Sequence, residues 1–266
     1  MSNTFNFNRF GKYLCYDLRS AWQNAGISMI IVALMPLWFF VVTQLFSLVF
    51  NGRLTTMGMP AIGTAYIVSF MIAVILFPNR HYGRLTDKKA GSDWLLVPAS
   101  GFEKFLSLVL VCCLGAPILW LAVAAASDGL LTVLLPTYYN GMGLYKIVDG
   151  FGYLLSEFKT TNVSFAMSSP WSIYLSWCSC ILTFALGAIF FKKNKVGYTI
   201  LALMGIGILL SLSAGIFFGG DINIDTENIT EDGLMQTLNA FVWITYVVEF
   251  TLLLLGIYFR IKTIKH

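Results

Sequence analysis

Glu249 is the only acidic or basic side chain deep inside one of the long apolar segments of this 266-residue chain. It is the twelfth of the 22 residues in the segment 238–259. A charged side chain at the middle of a bilayer costs on the order of 2.5–3.5 kcal/mol, so Glu249 should face other helices or carry a proton. It is therefore a candidate for binding protons or a substrate. The alternative is a neutral carboxyl that hydrogen-bonds a neighbouring helix, for example through Gln44, Ser69 or Thr183.

Catalytic and cofactor-binding motifs are absent from the sequence. The only histidines are His81 and His266, and no H-E-x-x-H, Cys-His cluster or G-x-S-x-G could build a zinc site or a serine nucleophile. No phosphate-binding G-x-x-x-x-G-K-[ST] motif exists either, because Gly11-Lys12 is followed by Tyr13. We therefore expect no enzyme activity, metal or cofactor in this chain, and any ATP would be hydrolysed by a partner.

Six apolar segments, which together make up about half of the chain, would position these residues. Each is long enough to cross a hydrocarbon core of about 30 Å as a helix. Continuous apolar runs of this length are not the short alternating strands of a barrel. Only 11% of the residues are charged and 58% are hydrophobic. The sequence therefore predicts an all-α, polytopic membrane protein, a single domain over 1–266 with six transmembrane helices. The predicted spans are 27–50, 60–78, 105–126, 171–191, 196–218 and 238–259.

The basic residues predict the orientation of these spans. If alternate connecting segments share a side, 14 Lys and Arg lie on one side and 3 on the other. By the positive-inside rule both termini are cytoplasmic, in a multi-pass protein of the cell (inner, cytoplasmic) membrane. The loop 219–237, with five acidic residues and no basic one, suits the external side, as does the segment 127–170. The net charge of +4 thus reflects sorting across the lipid bilayer, and we expect no nucleic-acid partner.

Residues 1–26 contain an amphipathic helix that precedes the first span. Its apolar positions recur at helical spacing, which is typical of a helix in the cytoplasmic interface. It either anchors the first span or also contacts a partner. The apolar positions are Phe10, Tyr13, Leu14, Leu18, Ala21 and Trp22.

The predicted cytoplasmic segment 79–104 combines a basic cluster with four consecutive large apolar residues, from Trp94 to Val97. A loop facing water does not need such a run, so it should be buried in lipid headgroups or in another protein. Ser100 and Glu103 have the spacing of a capping box that begins the third span.

In the order of its parts and in the residues that follow Trp94, the chain resembles the permease subunits of ABC-2 type transporters. The resemblance covers the order of parts along the whole chain and a motif of about ten residues at the start of the third span. The matching residues are Leu95, Leu96, Pro98, Ala99, Ser100 and Lys104.

The resemblance implies an ABC exporter in which a separate ATPase subunit drives the spans through the coupling loop 79–104. It implies two permease copies, or a related pair of permeases, above two ATPase subunits. The candidate residues for contact with the ATPase are Trp94, Leu95, Leu96, Pro98, Ser100 and Lys104.

Two other functions stay open. One is an ATPase-independent carrier, although the dissimilar loops 79–104 and 192–195 do not suggest inverted repeats. The other is a membrane anchor or immunity-type interaction protein that transports nothing. The spans contain no charged or aromatic cage that would identify a substrate.

Prolines and glycines within the spans predict local features. Pro36 and Pro117 can kink the first and third spans, with water or neighbouring groups bonding the backbone carbonyls that they release. Gly205 and Gly207 should let another helix approach the fifth span closely, and the alternative is that they form a gate.

Overall fold

The chain folds as a bundle of helices. The computed structural model describes residues 5–56, 59–86, 91, 94, 96–139, 170–218 and 231–263, and the regular elements in these residues are all helical. The all-α prediction is thereby confirmed for these residues. The α-helices are α1 (Phe7–Ala21), α2 (Ile27–Ala33), α3 (Met35–Asn51), α4 (Met59–His81), α5 (Gly101–Leu110), α6 (Ala116–Leu134), α7 (Pro170–Phe190), α8 (Lys195–Phe218) and α9 (Glu231–Thr263).

Several α-helices join into longer helical stretches. A π-helical turn, Trp22–Gly26, links α1 to α2, and a second one, Val111–Gly115, links α5 to α6. The stretch Phe7–Asn51 is 45 residues long, about 68 Å at the usual rise per residue. A bilayer with its headgroups is only about 40–45 Å thick, so this stretch must project beyond the membrane or cross it obliquely. The predicted amphipathic helix is thus continuous with the first span.

Four helical stretches in the described residues are long and apolar enough to cross a membrane. They include the first, second, third and sixth predicted spans. The fourth and fifth predicted spans form a pair of helices bent by 117°, which raises the number of crossings to five if the pair counts as one. Six separate crossings stay a prediction. The four stretches are Phe7–Asn51, Ala61–Thr86, Gly101–Leu134 and Trp243–Thr263.

Neighbouring side chains bond the backbone carbonyls that Pro36 and Pro117 release. A proline lacks an N–H, so the carbonyl four residues earlier in the helix loses its hydrogen-bond donor. The Ser69 hydroxyl donates to the Val32 carbonyl at 2.6 Å. The Tyr174 hydroxyl donates to the Cys113 carbonyl at 3.0 Å. Side chains of α4 and α7 thereby satisfy both carbonyls, and the prediction that neighbouring groups would do so is confirmed.

Helix α7 lies at the centre of the bundle, where it packs against α4, α8 and α9. An aromatic cluster forms part of this interior. The Phe70 ring lies 4.0 Å from the Trp177 ring and 5.4 Å from the Trp120 ring, measured between centroids. The Trp120 indole also donates to the Ser69 hydroxyl at 3.1 Å, so the same serine joins the proline site to the aromatic core.

Among the glycines that the structure describes, the closest approach between two helices is at Gly187 of α7. A Cβ added at Gly187 would lie only 2.9 Å from the Thr199 Cβ. At Gly197, Gly205 and Gly207 an added Cβ would have no atom within 4 Å among the described residues. The close packing predicted at Gly205 and Gly207 therefore does not occur within the described part of this chain.

The segment 127–170 lies mostly outside the described residues. Its first eight residues continue α6 to Leu134, so this helix runs past the end predicted at residue 126. The loop 219–237 is described only from Glu231 onward, where α9 has already begun.

Candidate coupling site

A buried carboxylate, Asp17, joins three elements at the end of the bundle where α1 begins. It receives hydrogen bonds from the Ser107 hydroxyl at 2.6 Å and the Tyr82 hydroxyl at 3.1 Å. The Nε2 atom of His81 lies 3.0 Å from its other oxygen, an ion pair when the imidazole is protonated. All four residues, the Asp17 cluster, are buried or nearly so. The cluster connects α1 with the end of α4 and with α5.

A second contact between α1 and α5 is the ion pair of Arg9 with Glu103. The guanidinium donates to both carboxylate oxygens, at 2.7 and 2.8 Å. Glu103 is 0% exposed and also accepts from the backbone N–H groups of Ser100 and Asn6. The Ser100 hydroxyl accepts from the Glu103 N–H in return, so the predicted capping box is confirmed. Planar two-point pairing of this kind specifies geometry as well as charge.

Trp94 packs against the protein itself. Its indole N–H donates to the Tyr13 hydroxyl of α1 at 2.9 Å. The Lys104 ammonium donates to the Trp94 carbonyl at 2.8 Å and lies 4.3 Å from the centroid of its ring. The indole thus contacts α1 through its N–H group and α5 through the ammonium over its ring. The indole is a structural contact between the loop and these helices.

The other predicted coupling residues lie in different environments. Leu96 is 77% exposed, and Pro98 is exposed as well. Ser100 and Lys104 belong to the internal contacts of α5, while Leu95 lies outside the described residues. The structure therefore brings Trp94, Ser100 and Lys104 together with α1 and leaves Leu96 on the surface.

Glu249 takes part in none of the contacts described above. It is exposed on α9. The three suggested partners bond elsewhere: Gln44 pairs with the backbone of Thr55, Ser69 with Val32, and Thr183 with the carbonyl of Ser179. Within the described residues these contacts do not support the alternative of a neutral carboxyl bonded to one of them.

A second buried carboxylate lies at the far end of α6. Asp128 accepts from the hydroxyls of Tyr66, at 3.2 Å, and Tyr139. Burial raises the pKa of the Tyr139 hydroxyl, which keeps the phenol protonated as a donor. These three residues bring α4, α6 and the turn after α6 together. As in the Asp17 cluster, one carboxylate accepts hydrogen bonds from side chains of neighbouring elements and so joins them.

Sequence reasoning missed Asp17, Arg9 and Asp128 as structural residues. A signal for Asp17 did exist, since it lies four residues from both Tyr13 and Ala21 and therefore on the apolar face of α1. An acid in the middle of an apolar stripe requires buried partners. Nothing in the sequence indicates which residues those partners are.

These side chains hold helices together. Among the described residues, no three His, Cys, Asp or Glu side chains lie together as a metal site requires. The carboxylates are occupied by donors of the chain itself. Hydrogen bonds connect Trp94, two residues before Leu96, to Tyr13 of α1 and to Lys104 of α5.

Comparisons with known proteins give no relative. No family model, no curated protein and no solved structure matches this chain.

Proposed function

We propose that this protein is the transmembrane permease subunit of an ATP-driven exporter of the ABC-2 type. The observation that carries the proposal is the environment of Leu96. This apolar residue is 77% exposed on a segment that hydrogen bonds connect to two long membrane helices. A separate ATPase subunit bound at Leu96 would hydrolyse the ATP, and this chain would supply the pathway.

The contacts behind Leu96 support a route for transmitting movement. Trp94 bonds α1, and Lys104 at the start of α5 bonds Trp94. Because α1 and α5 continue into the stretches Phe7–Asn51 and Gly101–Leu134, displacement of the loop would shift both. The Asp17 cluster extends the route to α4. Movement is transmitted through discrete packed contacts between a loop and the spans. The contacts of Trp94, Lys104 and the Asp17 cluster are of this kind.

We further propose six crossings with both termini in the cytoplasm. Contacts among the segments predicted to be cytoplasmic support this topology. Besides Arg9 with Glu103, the Lys195 ammonium donates to the Gly83 carbonyl, and Arg260 donates to the Ile189 carbonyl near the end of the fourth predicted span. These segments therefore meet at one end of the bundle. Segments separated by an even number of crossings lie on the same side of a membrane, so this meeting agrees with six crossings.

Thiol labelling in intact cells tests the orientation. A cysteine at position 193 (Lys193→Cys) should be protected from a membrane-impermeant maleimide, while one at position 225 (Asp225→Cys) should react. Permeabilising the cells should make both react, which controls for accessibility. Reaction of the 193 variant in sealed cells would contradict a cytoplasmic loop between α7 and α8.

Substitution of Leu96 tests the ATPase coupling. Leu96→Glu should weaken binding of the ATPase about thirtyfold, the effect of losing about 2 kcal/mol at an apolar anchor that must be desolvated. The measurements are co-purification of an ATPase from native membranes and ATP turnover of the complex in liposomes, at matched expression.

Val133→Glu is the matched control for Leu96→Glu. Val133 is 79% exposed and lies at the opposite end of the stretch Gly101–Leu134, about 50 Å away along a straight helix. It should leave co-purification and turnover unchanged. If Leu96→Glu also leaves both unchanged, or if no ATPase accompanies the wild type, the chain is a carrier or an interaction protein instead.

A further inference from the structure

Three helices meet at the Asp17 cluster, and the backbone of each is irregular close to it. In α1 the π-helical turn Trp22–Gly26 begins five residues after the cluster aspartate. In α5 the π-helical turn Val111–Gly115 begins four residues after the cluster serine. In α4 Pro78 precedes the cluster histidine by three residues. Each irregularity therefore begins within about 8 Å of the cluster along its helix.

All three irregularities lie between the Asp17 cluster and the apolar spans. Helices α1 and α5 run from the cluster into the stretches Phe7–Asn51 and Gly101–Leu134, so their π-helical turns come after the cluster. Helix α4 runs in the opposite sense, and Pro78 comes before the cluster. One layer of irregular backbone therefore separates the cluster from the spans of three helices.

Irregular backbone of these two kinds is where helices bend. Sharp kinks in helices occur at prolines and at π-helical turns, and such turns are frequent at functional sites. In the second π-helical turn the N–H of Ala116 donates to the Val111 carbonyl, five residues back instead of four. Pro78 has no N–H, so the Val74 carbonyl loses its helical donor. These points resist bending less than a regular α-helix does.

The parts on the other side of this layer are bonded to one another. Asp17 of α1 accepts from Ser107 of α5 and from Tyr82 after α4, and Arg9 of α1 pairs with Glu103 of α5. Buried, hydrogen-bonded carboxylates of this kind hold a fixed geometry. We call these parts the cap: α1, α5 and residues 81–86, which include the 3-10 helical turn Tyr82–Thr86.

The contacts of the cap with α8 and α9 tolerate small displacements. The Phe105 ring of α5 meets the Tyr258 ring of α9 edge-on, with centroids 5.7 Å apart. Apolar contacts are not directional, so these rings can slide. The Lys195 ammonium that bonds the Gly83 carbonyl is carried on a flexible four-carbon stem and can follow it.

We infer that the cap tilts as one rigid body relative to the spans, with the two π-helical turns and Pro78 as its hinges. A change of about 20° at the first turn moves Cys15, about 14 Å from the centre of that turn, by about 5 Å. The segment around Leu96 is bonded to the cap, so the cap is the moving part of the coupling proposed above. The tilt itself is a property of this chain, and its test needs no ATPase.

Distances between spin labels test the tilt. The full-length protein is reconstituted in liposomes with one nitroxide on exposed Cys15, and Cys180→Ser removes the partly exposed thiol of α7. The second nitroxide is placed within the cap (Phe102→Cys) or beyond the hinges on α6 (Ile118→Cys), both at exposed positions. Pulsed electron paramagnetic resonance should give a distance distribution for the pair across the hinges that is about 5 Å broader than that for the pair within the cap.

A variant with stiffened hinges makes the test specific. Pro78→Ala supplies the missing N–H, and Gly115→Ala favours regular helix, with its added Cβ in ordinary contact 3.7 Å from Leu18. The double variant should narrow the distribution across the hinges and leave that within the cap unchanged. Gly129→Ala is the matched control on α6 beyond the hinges, since its Cβ would meet nothing within 4 Å among the described residues. It should keep both wild-type distributions.

Three results would overturn the inference. The first is an equally narrow distribution for both pairs in the protein without hinge substitutions, a comparison that needs no stiffened variant to fold. The second is an equally broad distribution for both pairs, which would show that the cap is not one body. The third is an unchanged breadth across the hinges in the stiffened variant. Failure of an ATPase to co-purify would contradict the coupling alone, because the label distances are measured without one.

Discussion

Asp17→Ala is expected to lower the free energy of unfolding by about 3–5 kcal/mol, the usual cost of removing one partner from a buried charged network. The substitution leaves the Nε2 atom of His81 and the hydroxyls of Tyr82 and Ser107 buried without their Asp17 partner. Each such group costs about 1–3 kcal/mol. Denaturant unfolding of the purified protein in detergent micelles, followed by the helical circular dichroism signal, measures the loss.

Two companion variants distinguish the loss of the Asp17 contacts from a general effect of substitutions in α1. Lys12→Ala removes an exposed charge from the same helix and should change stability by less than about 0.5 kcal/mol. The double variant Asp17→Ala with Ser107→Ala should lose less than the sum of the two single variants, because one orphaned donor is gone. Strict additivity would show that the hydrogen bond between these two residues contributes nothing.

Gly187→Ala is expected to destabilise the protein by about 1–3 kcal/mol through overpacking at the bend between α7 and α8. The added methyl would lie 2.9 Å from the Thr199 Cβ, whereas carbon atoms in contact are about 3.5–4.0 Å apart. A Cβ cannot rotate away from this contact, so the two helices must separate. The same unfolding measurement detects the effect.

Gly197→Ala is the matched control, since an alanine there would meet nothing within 4 Å among the described residues. It should be neutral or should stabilise α8 by up to about 1 kcal/mol, because alanine has the higher helix propensity. Thr199→Gly should relieve much of the damage in Gly187→Ala. Equal stability of the two single alanine variants would contradict the close contact.

The features that the sequence predicted correctly depend on neighbouring residues along the chain. Polar groups are costly in hydrocarbon, so membrane helices are long apolar runs that can be recognised from composition alone. The capping box of Ser100 and Glu103 has a fixed spacing, so it is visible in the sequence and present in the structure. The effects of Pro36 and Pro117 follow from the missing N–H of proline, whatever the fold.

Features that join distant parts of the chain were not predicted. Trp94 stood out as an exposed anchor for a partner, yet its indole bonds Tyr13, 81 residues away. Glu103 was expected only to cap α5, and its partner Arg9 lies 94 residues earlier. Glu249 was expected to face other helices of the bundle or to carry a proton; it is exposed among the described residues, and the bound proton stays a prediction.

The sequence by itself determined that the chain forms apolar membrane helices and where several of them begin, end or bend. The tertiary structure alone decided which side chains meet: Asp17 with His81, and Gly187 with Thr199. The physical reason is that helix formation and membrane insertion depend on local composition, whereas each contact depends on the rotation and offset of two helices. Those two quantities result from the packing of all the helices together and leave no local pattern in the chain.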